Sequence, residues 1–319
     1  MLSTIIRKYL QYLSIFFFND MSKVKVNEKK IYNYINNKVK KLPKYKKNLK
    51  LTHQKFNDDL YKILLSNKLI NFLRYSFIQK VFFVHNRLFI LNELNYLKKS
   101  KKWSFYKKLI VEDNVGNPVR YFLYPKSSGN RINHVYHLSI LRDKLRINLN
   151  KISNVFEFGG GYGCMARIFS KINENVNYII FDTNLVNCLQ YYYLKQNNLK
   201  VGFDQNQFFL TNNIKKIKLR KSIPESIFIA NWSLSETPLE FRRKIIKIIP
   251  SYENILISFQ ENFENIDNLK YFNKLKLELN KKFKLYLLQN KFYKGNILKK
   301  QKHFFLIGKK LKKIKKNLN

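Results

Sequence analysis

The stretch Val155-Phe-Glu-Phe-Gly-Gly-Gly-Tyr-Gly163 sets an acid, Glu157, just ahead of glycines at 159, 160, 161 and 163. The apolar residues before the glycines read as a short buried strand, and Met165-Ala-Arg-Ile-Phe169 opens a helix after them. A strand–glycine loop–helix unit brings backbone N–H groups and a helix N-terminus close to a ligand. The surrounding residues decide which chemistry that serves. A phosphate-cradling P-loop ends in Gly-Lys-Ser/Thr, whereas Gly163 is followed by Cys164-Met165. A dinucleotide fingerprint needs G-x-G-x-x-G/A. Gly159 and Gly161 fit it, but the third place falls on Cys164, and Glu157 is an awkward charge beside a pyrophosphate. Glycines also serve ordinary tight turns, so the loop needs a second signal.

That signal is Asn177-Tyr-Ile-Ile-Phe-Asp182, an apolar run closed by a carboxylate. Asp182 lies 19 residues beyond Gly163, close to the distance at which nucleotide-binding folds place the acid that accepts a ribose diol. Two carboxylate oxygens can take both hydroxyl protons.

The elements that must position these residues alternate between strand and helix. Strands are expected at 154–158 and 177–182, around Gln207–Leu210, at Ser226–Trp232 and at Asn254–Phe259, with helices at 164–173, 184–196 and 239–248. Lys284–Leu288 and His303–Gly308 would close the sheet as an antiparallel pair. The fold class is therefore α/β: a doubly wound, mostly parallel, seven-stranded Rossmann-like sheet. Upstream, apolar spacing predicts one helix through Leu60, Ile63, Leu64 and Phe72 and a second through Ile78, Val81, Phe82, Leu88, Leu91 and Leu94, an N-terminal helical accessory region. Val119–Tyr124 reads as a short strand, Pro125–Asn130 as a loop, and Arg131–Leu145 as a helix carrying His134 and His137. The expected domains are a basic segment and linker at 1–50, the helical region at 51–125, the catalytic fold at 126–310 and a basic tail at 311–319.

The bulk numbers set the partners. The 319 residues carry 62 Lys and Arg against 20 Asp and Glu, a net charge of +42. Such a value ordinarily suggests nucleic acid or an anionic membrane. The charge is spread along a chain also crowded with Asn, Ile, Phe and Tyr, as a strongly A+T-biased coding sequence would supply, so nucleic acid is the disfavoured partner. Cys164 and Cys188 lack metal-site spacing and suit a reduced, cytoplasmic setting. No compact carboxylate cluster demands a metal. The apolar stretch 9–18 is too short to span a bilayer; as an amphipathic helix it leaves peripheral membrane contact open.

Glu157-x-Gly-x-Gly-x-Gly163 resembles motif I of the class I S-adenosylmethionine-dependent methyltransferases. The wider pattern resembles a family described as sugar O-methyltransferases: Glu157-Phe-Gly-Gly-Gly-Tyr-Gly163, Ile180-Phe-Asp182, Gln190-Tyr-Tyr-Tyr-Leu194 and Asn231-Trp-Ser-Leu-Ser-Glu236, with Gly116-Asn-Pro118 a weaker match. The resemblance covers about residues 112–310 and implies S-adenosyl-L-methionine as cofactor, whose sulfonium and ammonium suit the acid at 157. It implies methyl transfer to a sugar hydroxyl of a glycan or nucleotide-linked precursor, as in polysaccharide biosynthesis. Cofactor-binding residues would be Glu157, Gly159, Gly161, Gly163, Asp182, Asn231 and Trp232. A sugar hydroxyl needs a general base; the candidates are Glu236, in the loop after the fourth strand, then His134 and His137. For the histidines the plain alternative is a water-facing position, and for Glu236 a helix cap or a role orienting Asn231 and substrate without taking a proton. Gln260-Glu261 would touch the acceptor. Enzymes that methylate base amino groups often carry Asn/Asp-Pro-Pro-Tyr/Phe at the 231 position, and here no such run follows Asn231. The alternatives are an RNA-directed methyltransferase using the basic surface and a non-catalytic member of the fold.

Overall fold

The computed structural model describes residues 28–42, 51–82, 84, 87–217, 222–293 and 301–311. The apolar stretch 9–18 and the basic tail beyond Leu311 lie outside the described residues. In chain order the helices are α1 (Glu28–Lys40), α2 (Leu51–Leu65), α3 (Ser76–Phe82), α4 (Leu88–Lys99), α5 (Trp103–Ile110), α6 (Gly129–Leu145), α7 (Cys164–Ile172), α8 (Asn184–Gln196), α9 (Leu239–Ile246) and α10 (Asn268–Leu279). The strands are β1 (Arg120–Tyr121), β2 (Tyr124–Ser128), β3 (Asn154–Phe158), β4 (Asn177–Phe181), β5 (Val201–Gly202), β6 (Phe208–Thr211), β7 (Ser226–Asn231), β8 (Asn254–Gln260), β9 (Asn262–Phe263), β10 (Ile266–Asp267), β11 (Phe283–Gln289) and β12 (His303–Lys310).

Eight strands form the main sheet in the order β11-β12-β8-β7-β3-β4-β6-β5. The order reverses at β3: β4 and β6 follow on one side, β7 and β8 on the other. This mixed sheet, flanked by helices and preceded by a helical region, is a Rossmann-like methyltransferase fold. The two-residue β5 is the strand that the sequence pattern did not predict. All seven residues of β8 and five of the six of β7 are buried, as expected of parallel strands covered on both faces.

The chain divides into two compact units. The first comprises the residues up to Ser139 with Gly160–Ile214, the second Ile140–Gly159 with Lys215–Asn319. In the first, β4 pairs parallel with β6 and β6 with β5. In the second, β3, β7 and β8 run parallel, while β12 is antiparallel to both β8 and β11. Phe156 and Phe228 stack across β3 and β7, with ring centroids 5.5 Å apart.

Two expectations upstream need correction. The two long helices between 53 and 99 are α2, a 3-10 turn (Leu69–Arg74), α3 and α4. The first break comes where Asn67 takes a left-handed φ of 56°, a conformation asparagine tolerates better than most residues. Leu60, Leu64, Phe72, Ile78 and Leu94 are core, but Val81 and Leu88 are 54% and 66% exposed. The expected loop at 125–130 is instead β2 and the first turn of α6. The Ser128 hydroxyl donates to Glu112 and accepts from the Arg131 N–H at 3.1 Å, which fixes the strand-to-helix junction.

Candidate active site

The glycine loop leaves the carboxyl end of β3, where Glu157 is 2% exposed. Gly159 has φ +71°, and a Cβ there would stand 2.3 Å from the Ser233 Cβ. The Ser233 hydroxyl donates to the Phe158 carbonyl, so the loop after β7 is seated directly on the end of β3. Only glycine permits that approach together with that backbone angle. Gly163, at φ 101°, is the N-cap of α7.

Within the first unit the loop meets Asp182. This half-buried side chain accepts from the Thr183 N–H at 2.8 Å and from Gln190 Nε2 at 3.1 Å, and the Gly160 and Gly161 N–H groups face it. Burial pushes its pKa up to about 7, although each of these donors pulls the other way. Gln190 Nε2 also donates to the Gly161 carbonyl at 2.8 Å, so one amide ties α8, the loop and the acid together. Gln190 is fully buried, and its Oε1 has no hydrogen-bond partner among the described residues. The Gln190-Tyr-Tyr-Tyr segment was visible in the sequence, but nothing in its spacing announced this link.

The rest of this unit braces the loop. Phe82 of α3 lies 3.5 Å from the position a Gly161 Cβ would take. Asn130 bridges the segment after α3 to the loop, accepting from the Val84 N–H at 3.3 Å and donating to the Tyr162 hydroxyl at 3.0 Å. Buried Arg131 donates to Glu112 at 2.7 Å, Asp113 at 2.8 Å and the Tyr193 hydroxyl at 3.0 Å. Arg167 of α7 pairs with the same Asp113 at 2.9 Å. Burial alone would raise the Asp113 pKa, but Arg131 and Arg167 hold it well below the usual carboxylate range.

His134 and His137 stand on α6 beside this network, His134 half-buried and His137 buried. His137 is 1% exposed. His134 Nδ1 lies 2.8 Å from the Asn130 carbonyl, and burial pushes its pKa down to about 4. A base so weak is poorly matched to taking a proton near neutrality.

The loop after β7 belongs to the second unit. Trp232 takes φ 60°, an uncommon conformation for a bulky residue and one that collects at functional sites. Its N–H donates to the Ser258 carbonyl at 2.8 Å and its indole to His303 Nδ1 at 3.1 Å. Tyr293 stacks on the other partner, its ring 3.5 Å from that of His303. Asn231 Oδ1 accepts from the Ser258 hydroxyl at 3.1 Å. Glu236 closes a 3-10 turn (Ser233–Glu236). Gln260 accepts from Ser235 at 2.7 Å through its Oε1 and donates to Glu236 at 3.1 Å through its Nε2. The Glu236 carboxylate has access to solvent, yet the protein around it desolvates it enough to raise its pKa, the Gln260 bond notwithstanding. It is not the N-cap of α9; Pro238 holds that position.

Arg242 is a further correction. Helical spacing puts it on the polar face of α9 with Arg243, Lys244 and Lys247, but it is fully buried. Its guanidinium donates to the carbonyls of Thr237 at 2.7 Å and Ser235 at 2.5 Å and to Asn268 Oδ1 at 2.8 Å. Those two carbonyls flank Glu236, so Arg242 holds the turn that carries the acid.

No family model and no curated protein matches the chain. Among solved structures it is similar to the methyltransferase domain of bacterial CtHen1-CN (10% identity, 56% of this chain and 97% of that one, TM-score 0.41). It is also similar to the N-methyltransferase NodS of Bradyrhizobium japonicum WM9 in complex with S-adenosyl-L-homocysteine (7%, 67% and 100%, TM-score 0.40). A third is an rRNA methylase of Streptococcus thermophilus (14%, 51% and 92%, TM-score 0.37). The fold assignment rests on the strand order, not on these similarities. Among the described residues no group of His, Cys, Asp and Glu is arranged to hold a metal ion, and no helix is long and apolar enough to cross a membrane.

Proposed function

We propose that this chain is an S-adenosyl-L-methionine-dependent O-methyltransferase acting on a sugar hydroxyl of a glycan or nucleotide-linked precursor. The observation that carries the reading is Asp182 at the end of β4, faced by the loop N–H groups and braced by Gln190. A carboxylate there, beside the unpartnered buried Gln190 Oε1, fits a ligand that brings hydroxyl donors, as a ribose diol does. The bound cofactor supplies an activated methyl group on a sulfonium. Asp182 and Gln190 would hold its ribose, and the close seating of Ser233 on Gly159 shapes the loop. Glu236, whose pKa is raised, would be the base that takes the acceptor hydroxyl's proton. Gln260 orients Glu236, and Arg242 holds the turn. Positioning supplies much of the rate effect in such a transfer.

The second reading is an RNA-directed methyltransferase, favoured by the net charge of +42. Incubation with methyl-labelled cofactor and separate pools of nucleotide sugars, glycans and total RNA distinguishes the two. Label in the sugar or glycan pool supports the first, label in RNA overturns it in favour of the second, and calorimetry without any cofactor binding leaves the non-catalytic reading.

A further inference from the structure

A hollow of about 580 Å³ in the second unit plays no part in the site above. Asp143, Lys144 and Arg146 at the end of α6, Lys284 and Tyr286 of β11, and Lys309 of β12 line it. Lys144, Arg146, Lys284 and Lys309 are exposed. The acid is committed elsewhere, since Asp143 Oδ1 accepts from Arg142 at 2.6 Å. Among the described residues none of the four cations lining the hollow has a carboxylate partner.

Two ordinary explanations cover part of this. Cations at a helix C-terminus complement its dipole, which accounts for Lys144 and Arg146. Lysine is also abundant throughout the chain. Neither explains the sheet side of the hollow. Lys284 and Lys309 are register partners in the antiparallel ladder, so two like charges stand directly opposite each other on one face, an arrangement that destabilises a sheet. Two ammonium groups also converge on one ring, the Lys144 Nζ 4.3 Å and the Lys284 Nζ 5.9 Å from the Tyr286 centroid. Tyr286 thereby draws both lysines to the hollow, and an anion bridging the cations would relieve the repulsion among them.

We propose that this hollow binds phosphate esters carrying more than one negative charge. Two sources offer that chemistry, the phosphodiester backbone of a single nucleic-acid strand and the diphosphate of a nucleotide-activated sugar. The site is independent of the methyl-transfer reading, because binding is measured without a methyl donor.

The test uses the full chain and fluorescence anisotropy of a short labelled oligouridylate across a salt series, with UDP-glucose as competitor. The Lys284→Gln/Lys309→Gln variant is compared with a Lys107→Gln/Lys108→Gln control, which removes the same charge from exposed positions on α5. The expected result is binding at least tenfold weaker at moderate salt for the hollow variant alone. Its log–log salt slope falls by about 1.4, from two lost contacts at about 0.7 each on a single strand. Competition by UDP-glucose assigns the site to the diphosphate, and binding of the oligomer without competition assigns it to the strand. An equal loss in the control variant, or no binding of the oligomer in anisotropy together with no binding of UDP-glucose in calorimetry, overturns the proposal. Urea unfolding of both variants separates lost binding from lost folding, since removing the Lys284–Lys309 repulsion leaves stability unchanged or raised.

Discussion

Replacing Arg242 by Met tests how the turn carrying Glu236 is held. Arg242 is fully buried, with no carboxylate partner among the described residues. Burial lowers its pKa, but a guanidinium stays protonated in proteins. Its charge is compensated by the carbonyls of Ser235 and Thr237, the Asn268 side chain, and the Tyr271 ring 4.8 Å away. Methionine fills similar volume and removes a costly buried cation, which by itself favours the variant. Against this, two buried acceptors and the part-buried Thr237 carbonyl lose their donor, at about 1–3 kcal/mol for each buried one. The acceptor losses outweigh the relief, and the expected net destabilisation is about 3 kcal/mol in urea unfolding. Arg242→Lys keeps the charge but cannot reach all three acceptors, so it falls between the two. Cofactor affinity, which the proposed function assigns to Asp182 and Gln190, should change less than threefold in both variants, while turnover drops because the turn loosens. An Arg242→Met protein within about 0.5 kcal/mol of the unmodified chain would refute the reasoning, since such a value belongs to an uninvolved surface substitution.

The Asp182 pKa of about 7 predicts how cofactor binding depends on pH. If the ionised carboxylate accepts both diol protons, as proposed, affinity is full above the pKa and weakens as pH falls through it, by about tenfold at one unit below. Calorimetry between pH 6 and 8 reads this, and a flat profile contradicts it. The same raised pKa has a stability consequence of opposite sign. The folded state holds the proton more tightly than the unfolded chain between the ordinary carboxylate value and 7, so this group favours folding at acidic pH and opposes it above 7. Gly159→Ala should weaken cofactor binding and destabilise the fold by more than 1 kcal/mol, because the new methyl group meets Ser233 and φ is +71°; an unchanged melting temperature contradicts the seating described. Glu236→Gln should lower turnover at least 100-fold with little change in cofactor affinity. It should also abolish the rise of rate with pH, which in the unmodified protein comes above the ordinary Glu value; a surviving rise assigns the base elsewhere.

The strand–loop–strand heart of the fold was legible because its signals are local. Phe156 to Phe158 are apolar on both sides of Glu157, the glycines mark a turn that other residues cannot make, and Asp182 ends an apolar run. What was hidden depends on tertiary contact. Arg242 looks like any helix-surface cation until the carbonyls of Ser235 and Thr237 converge on it. His134 and His137 read as base candidates or water-facing residues, but α6 packs among buried charges that no periodicity reveals. Gln190 carried a resemblance without a role, because its two acceptors come from segments separated from it in sequence. The helical region was broken more finely than its spacing implied, since 3-10 turns and a left-handed Asn67 leave the apolar period intact while ending the helix.

The most direct test of the central claim is titration calorimetry of S-adenosyl-L-methionine into the unmodified protein and into Asp182→Ala at pH 8. Binding by the unmodified protein, weakened more than about tenfold by loss of the charge-assisted diol contact, is the predicted result. No binding at millimolar ligand, or equal affinity in the two proteins, contradicts it.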